Sequence, residues 1–318
     1  MPQTVEQSGP HTGSGDPVPC PYCESRERKL VYAHMYHNKK ADYGPFDILS
    51  CNGCGSMLTR PIPTAQQIRE LYGSFSEGLP DDLFEARRNS PQTPWYAQCV
   101  KNLVSFGGER LNGNFSWLEI GPGSGNFTKQ FADRFPASSG FAIDLHDCPD
   151  NLRCVRNVEW RAYDLEKGVP PDFIGRFDVV ASIAVFEHVR DPAAFLGFML
   201  QCLNSDGILY IFCPEYGLLV SRLMGRRWPY MLPGEHINIP TKKGARILVE
   251  RELQNHGRQA KTVIVETVTV PYTLYYLAAY LKIQKLAAAL PRHWHVPVPS
   301  GCLEIKARFH DAKSFATG

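Results

Sequence analysis

The stretch WLEIGPGSGNF, residues 117–127, constrains this chain more than any other. Trp117, Leu118 and Ile120 form a short apolar run, glycine follows at 121, 123 and 125, and Thr128 to Phe135 is compatible with a helix that Pro136 stops. The order is strand, tight loop, helix. Glycine at alternate positions lets the backbone pass closer to a ligand than any side chain would allow, and the N–H groups at the helix start favour a carboxylate or phosphate. The spacing departs from the G-x-G-x-x-G dinucleotide fingerprint, whose third glycine would fall where the chain has Asn126. A nicotinamide dinucleotide is therefore the second choice of ligand, and a loop without any ligand is the plain alternative.

The order of features downstream strengthens the ligand reading. The strand-like FAI ends in Asp144, about 20 residues beyond the loop, where a carboxylate at a strand end takes both hydroxyls of a ribose. VEWRAYDL follows with Asp164, whose carboxylate is placed to accept the exocyclic amine of an adenine. The buried-type run FDVVASIAVFEHV, residues 177–189, ends in a polar cluster of its own. Strand ends in register make one crevice.

On these residues the chain resembles the class I S-adenosylmethionine-dependent methyltransferases, over residues 95–310. Glu119 with Gly121, Gly123 and Gly125 is similar to that family's first motif, Asp144 to its acidic ribose residue, Asp164 to its adenine-side residue, and FDVV with FEHV to its fourth motif. The resemblance implies an α/β fold, a Rossmann-like doubly wound, mostly parallel seven-stranded sheet, with S-adenosyl-L-methionine as cofactor. Leu145 and Leu165, each following one of the aspartates, join the expected cofactor contacts. Pro214-Glu215 departs from the Pro-Asn that many relatives carry after the fifth strand.

A second, independent motif lies near the start. Cys20-Pro-Tyr-Cys23 is followed, after 27 intervening residues, by Cys51-Asn-Gly-Cys54. Each pair can present two thiolates to one point, and two such knuckles complete the tetrahedron that zinc prefers. A shell closed by four sulfurs leaves no open position, so the metal is structural. Unmetallated core cysteines are the alternative, and His34 and His37 are competing ligands. LVYAH and FDILSC read as short strands of a zinc ribbon, and the basic residues Arg26, Arg28, Lys29, Lys39 and Lys40 as its solvated face.

The division that follows is a disordered tail over 1–18, the ribbon over 19–60, a helical linker over 61–94, and a methyltransferase domain over 95–310 with an insertion at 216–240. The helix WYAQCVKNLVSF, residues 95–106, packs on the crevice, with Tyr96 either reaching the methionine end of the cofactor or serving as an ordinary packing aromatic. Asp191-Pro192 starts a helix that ends in a turn over 204–207, GILYIFCP is the fifth strand, and Thr241 caps the next helix. TVIVETVTV and CLEIKARF close the sheet, and the apolar stretch TLYYLAAYLKIQKLAAAL, broken by Lys282 and Lys285, reads as a helix over the active site or at a dimer interface.

Composition bears on partners. With 34 basic and 32 acidic side chains the net charge is +2, so bulk polyanion binding is not expected and no nucleic-acid partner is called for. The chain lacks a run of 18 uncharged apolar residues, and its first residues are polar, so neither a membrane span nor a secretory signal is expected. Scattered single cysteines beside the two close pairs fit a reducing compartment, so a cytoplasmic protein is expected, as a monomer or a homodimer that the sequence does not distinguish.

A sulfonium methyl is already electrophilic. The enzyme must align a nucleophile with it, which is worth about 7–11 kcal/mol, and take a proton from a hydroxyl or carbon acid. Two histidines compete for the second task. His236 follows Glu235 and Gly234 in the insertion, and sugar C-methyltransferases, which pair a similar ribbon with this fold, carry an acidic-His pair in the corresponding stretch. His188 follows Glu187 at the rim of the crevice. Glu215, Tyr216 and Tyr230 are the expected acceptor contacts. A counterpart of the extra C-terminal domain that the sugar C-methyltransferases carry is not expected from these residues, which puts O-methylation of a sugar nucleotide or secondary metabolite beside C-methylation. The rival readings are a ribbon protein whose cofactor fold is a non-catalytic scaffold, and an enzyme that uses the bound sulfonium for a rearrangement or elimination.

Overall fold

The computed structural model describes residues 18–37, 42–76, 94–274, 278, 284–291 and 294–309. Residues 1–17 of the expected tail and 77–93 of the linker lie outside them. So do residues 275–277 and 279–283 of the apolar stretch over 273–290, within which the described residues hold the helix α7 (Gln284–Ala289).

Two sheets organise the chain. The larger has seven strands in the order β10-β11-β8-β7-β4-β5-β6: β4 (Ser116–Ile120), β5 (Ser139–Asp144), β6 (Val158–Ala162), β7 (Phe177–Ile183), β8 (Leu203–Pro214), β10 (Ala260–Thr273) and β11 (His295–Phe309). β6, β5, β4, β7 and β8 run parallel, whereas β11 is antiparallel to both β8 and β10. This is the doubly wound α/β sheet expected from the sequence. The chain runs outward from β4 through β5 to β6 and then returns to the other side of β4 as β7. The crevice beyond the carboxyl ends of β4 and β7 is thus the topological switch point, where open α/β sheets bind ligands.

The strands are apolar on both faces because helices cover both. Leu118, Ile120, Val180, Leu209 and Ile211 pack towards α4 (Pro192–Cys202) and α6 (Lys242–Asn255), while Trp117, Val179, Ala181, Ile208 and Tyr210 pack towards α2 (Pro94–Gly107) and α3 (Asn126–Arg134). The capping signals act as read: Asp191 accepts the N–H groups of Ala193 and Ala194, and Thr241 that of Gly244. The turn expected over 204–207 does not form. Instead α4 leads directly into β8, with Leu203 paired to Phe177 and pairing resuming at Ile208 opposite Val179; the extra residues form a bulge held by Asn204, which donates to Asp178 at 2.7 Å.

The smaller sheet has the order β1-β2-β3-β9, from β1 (Arg28–Met35), β2 (Phe46–Cys51), β3 (Met57–Arg60) and β9 (Asn238–Ile239). Helix α1 (Ala65–Ser76) follows β3, and α5 (Leu219–Met224) opens the insertion. The fourth strand comes from the insertion nearly 180 residues downstream of β3, so the smaller sheet is completed by the half of the chain that builds the larger one. Thr241 Oγ1 donates to the Cys54 carbonyl at 2.7 Å, and Tyr22 Oη donates to the Asn238 carbonyl at 3.1 Å. At Gly244 a Cβ would meet Ser56 Oγ at 2.3 Å; only glycine lets the start of α6 press against the second cysteine knuckle. Cys20, Tyr22, Cys54 and Leu58 consequently belong to the same buried cluster as α4 and α6.

Candidate functional site

The glycine loop joins β4 to α3 with all three glycines left-handed, at φ 71°, 53° and 76° for Gly121, Gly123 and Gly125. A Cβ on Gly121 would strike Val185 at 2.4 Å, and one on Gly125 would strike Leu152 at 2.6 Å. A Cβ on Gly123 would meet nothing within 4 Å. Two of the glycines are therefore required by the protein's own packing, and the third faces open space at the mouth of the crevice. Gly123 N–H points to the Asp144 carboxylate, 3.4 Å away across the ends of β4 and β5.

Around the loop, Tyr163 N–H bonds the Asp144 carbonyl at 2.7 Å, which draws the end of β6 alongside β5. Asp164 caps the short turn Leu165–Lys167 by accepting the Glu166 N–H, Leu165 is half-buried, and Leu145 is exposed. Tyr96 is buried and stacks on Trp95 with ring centroids 3.7 Å apart, and Trp95 stacks in turn on Phe212.

Glu119 is 1% exposed and accepts a hydrogen bond from Thr128 Oγ1 at the start of α3. Burial raises its carboxyl to about 8, with the neighbouring Asp144 charge adding to the effect against the Thr128 bond. An acid raised this far favours the folded state while protonated, so its contribution is complete below pH ~4.5 and is lost as pH rises through about 8. Glu119→Gln is expected to remove a pH dependence on the order of a few kcal/mol between those limits, as read from urea midpoints of the two proteins at pH 5 and pH 9. Equal slopes of stability against pH in both would contradict it.

The second part of the site comes from two segments far apart in sequence. Val185, the residue against Gly121, leads into Glu187 and His188 just beyond β7, and the insertion brings Glu235 and His236 over them. The imidazoles of His188 and His236 meet edge to face, with centroids 4.7 Å apart. His236 Nδ1 lies 2.8 Å from the Tyr230 carbonyl, and His188 Nδ1 lies 3.0 Å from that of Glu235. The Glu187 carbonyl accepts the N–H of Ile237 at 2.8 Å, tying the two segments together. Tyr230 stacks on His236 and packs against Trp228, which packs in turn on Tyr216. Glu215 is buried, and its carboxylate accepts from Thr267 on β10 at 2.6 Å.

Glu235 orients something other than the ring beside it in sequence. Its carboxylate lies 2.9 Å from Nε2 of the buried His37, at the end of the ribbon's first strand. Thr59 of β3 donates Oγ1 to the His236 carbonyl at 2.8 Å, and Tyr43 reaches the Gly234 carbonyl. His37 and Thr59 are site-supporting residues that sequence reasoning missed, since 198 residues separate His37 from its partner and no local pattern links them. Neither His34 nor His37 joins the four-cysteine group. Cys20, Cys23, Cys51 and Cys54 bring their sulfurs within 4.8 Å of one another, with Cys20 to Cys54 at 3.8 Å and Cys23 to Cys51 at 3.5 Å.

A family model described as a methyltransferase domain matches residues 87–254. Over 132 residues the chain is 32% identical to a malonyl-(acyl-carrier protein) O-methyltransferase of Acetivibrio thermocellus, covering 38% of this chain and 45% of that protein. Over 148 residues it is 28% identical to the N-methyltransferase verN of Clonostachys rogersoniana, covering 45% of this chain and 52% of that one. The chain spans about half the length of these curated relatives. Among solved structures it is similar to the 1,6-didemethyltoxoflavin-N1-methyltransferase of Burkholderia thailandensis, with bound S-adenosylhomocysteine, at a TM-score of 0.50, 16% identity, and coverage of 84% of this chain and 96% of that one. At that identity the likeness is one of fold.

Proposed function

Since the chain belongs to the methyltransferase domain family, we propose that it transfers a methyl group from S-adenosylmethionine to an oxygen or carbon of a small molecule. The observation that carries this reading is the cradle at Gly123, a left-handed glycine with open space where its Cβ would be, facing a strand-end carboxylate 3.4 Å away. Bound there, S-adenosylmethionine supplies a methyl made electrophilic by its sulfonium. Asp144 takes the ribose hydroxyls, and the backbone of residues 121–125 lies against the amino-acid tail at the start of α3. Asp164, Leu145 and Leu165 form the adenine side. Tyr96 and the buried Glu119 shape the opposite end.

The acceptor lies under the insertion, between Tyr216, Tyr230 and the two histidines, with Glu215 behind them. His236 is the base: a ring that donates its Nδ1–H to the Tyr230 carbonyl carries its lone pair on Nε2. His188 packs edge-on against that ring and restricts its rotation. The four-cysteine group fits zinc, because a tetrahedron of 2.3 Å Zn–S bonds has edges of about 3.8 Å and the paired sulfurs stand 3.5 and 3.8 Å apart. That metal holds the ribbon in shape and leaves no position for a substrate.

Calorimetric titration with S-adenosylhomocysteine is expected to show one site per chain, weakened at least about tenfold by Asp144→Ala. Isotope-labelled methyl supplied on the donor is expected to appear in an added small-molecule pool. Absence of heat with both S-adenosylmethionine and S-adenosylhomocysteine on zinc-replete protein, or heat with a nicotinamide dinucleotide instead, overturns the proposal. Binding without label transfer to any acceptor selects the scaffold reading.

A further inference from the structure

Among the described residues two groups of side chains bring metal-ligating atoms within 4.8 Å of one another: the four cysteines, and Glu187 with His188 and His236. The second group has a different chemistry from the first. Its donors are two imidazoles and one carboxylate, a set suited to divalent transition metals with open coordination positions. Glu187 is 2% exposed and His236 is 5% exposed, and a buried carboxylate is costly unless a positive charge is brought beside it.

Two features show that the group is built as a donor set. Each histidine has its Nδ1 at a backbone carbonyl, Glu235 for His188 and Tyr230 for His236, at 3.0 and 2.8 Å. That arrangement selects the Nδ1–H tautomer in both rings and directs the Nε2 lone pair of each away from the carbonyl, as outer-shell hydrogen bonds do for metal-ligating histidines. The backbones that carry the donors are also tied to each other. Ile237 N–H bonds the Glu187 carbonyl at 2.8 Å, and Asn238 Nδ2 bonds the Val189 carbonyl at 3.1 Å. The Glu187 carboxylate stands 3.7 Å from His188 Nε2, longer than a hydrogen bond and within ion-pair range of a protonated ring, a separation that leaves room for both atoms to ligate one cation.

We propose that Glu187, His188 and His236 bind a divalent cation of the manganese or iron(II) class, distinct from the cysteine-bound zinc. Its open positions take oxygen donors of the acceptor. The inference rests on the reading of this crevice as the acceptor pocket and refines it. With the cation in place His236 is a ligand, and an acceptor hydroxyl coordinated beside it loses its proton to solvent under the charge of the metal. Acceptors with two neighbouring oxygens, able to chelate, are favoured over those with one.

The probe is manganese alone, added to the full chain after mild chelation that leaves its zinc in place. Electron paramagnetic resonance of free and bound manganese is expected to show one ion per chain, with affinity reduced at least about 100-fold in Glu187→Gln and in His188→Ala, and unchanged in the exposed His34→Ala. Retained heat with S-adenosylhomocysteine shows that each variant is folded. The proposal is overturned by failure to bind manganese up to about 1 mM, by binding that is the same in both ligand variants, or by methyl transfer that proceeds unchanged when the manganese has been removed and the zinc has not. Binding of manganese without any heat from S-adenosylhomocysteine leaves the cation site standing and removes the transferase reading instead.

Discussion

Replacing His236 by alanine is expected to lower kcat by about 10²- to 10⁴-fold while leaving the affinity for S-adenosylhomocysteine within about twofold. The separation follows from the architecture. The cofactor cradle proposed above is drawn from residues 119–165 at the ends of β4, β5 and β6, whereas His236 arrives from the insertion on the other side of the switch point. Its main chain is held independently of its ring, through Thr59 to its carbonyl and Leu232 to its N–H, so alanine removes the imidazole without releasing the loop. His188→Ala is expected to lower kcat as well, because it removes a ligand of the proposed cation. The measurement is kcat over roughly pH 6 to 9 with labelled donor, for both variants and the parent. Full turnover by His236→Ala across that range, with loss in His188→Ala, reverses the assignment.

Removing zinc from the proposed four-cysteine site is expected to lower transfer at least about 100-fold, while S-adenosylhomocysteine still binds. Structural zinc contributes roughly 10–16 kcal/mol to small metal-folded modules, more than the short strands of a ribbon can replace. The consequence reaches the proposed acceptor pocket because β3 pairs with β9, and the segment just before β9 carries His236. Thr59 N–H bonds the Ile237 carbonyl at 2.8 Å, and His37 holds the Glu235 carboxylate at 2.9 Å; both belong to the ribbon. When the ribbon loosens, the insertion loses the strand that sets its height above Glu187. Stability falls as well, since Cys20, Tyr22, Cys54 and Leu58 share a core with α4 and α6. Zinc release followed with a colorimetric chelator, alongside transfer rate and calorimetry, gives the comparison. Zinc-free protein that transfers methyl at the parent rate would show the ribbon to be dispensable.

The larger sheet was legible because each of its signals is local. A parallel strand buried on both faces is a short apolar run, a helix start is an aspartate or threonine with the right neighbours, and a close approach to a ligand is a glycine; all of these act within a few residues. Gly121 and Gly125 illustrate the limit of that reading. They look like ligand glycines in sequence, yet Val185 and Leu152 occupy the space their side chains would need, and only Gly123 opens on the crevice. The bulge over 204–207 was missed because a polar turn composition also suits a strand whose irregular residues are held by one side chain, here Asn204 on Asp178.

The sequence by itself determined the strand–loop–helix at 117–134, the cysteine knuckles, and the candidacy of His188 and His236, because each depends on chemistry carried by neighbouring residues. Only the tertiary structure decided that Glu187, His188 and His236 converge, that Glu235 turns to His37 rather than to the ring beside it, and that the ribbon and the insertion share a sheet. Those contacts join residues as many as 198 positions apart. They arise from pairing of backbone edges and close packing around one core, which no spacing within a linear pattern encodes.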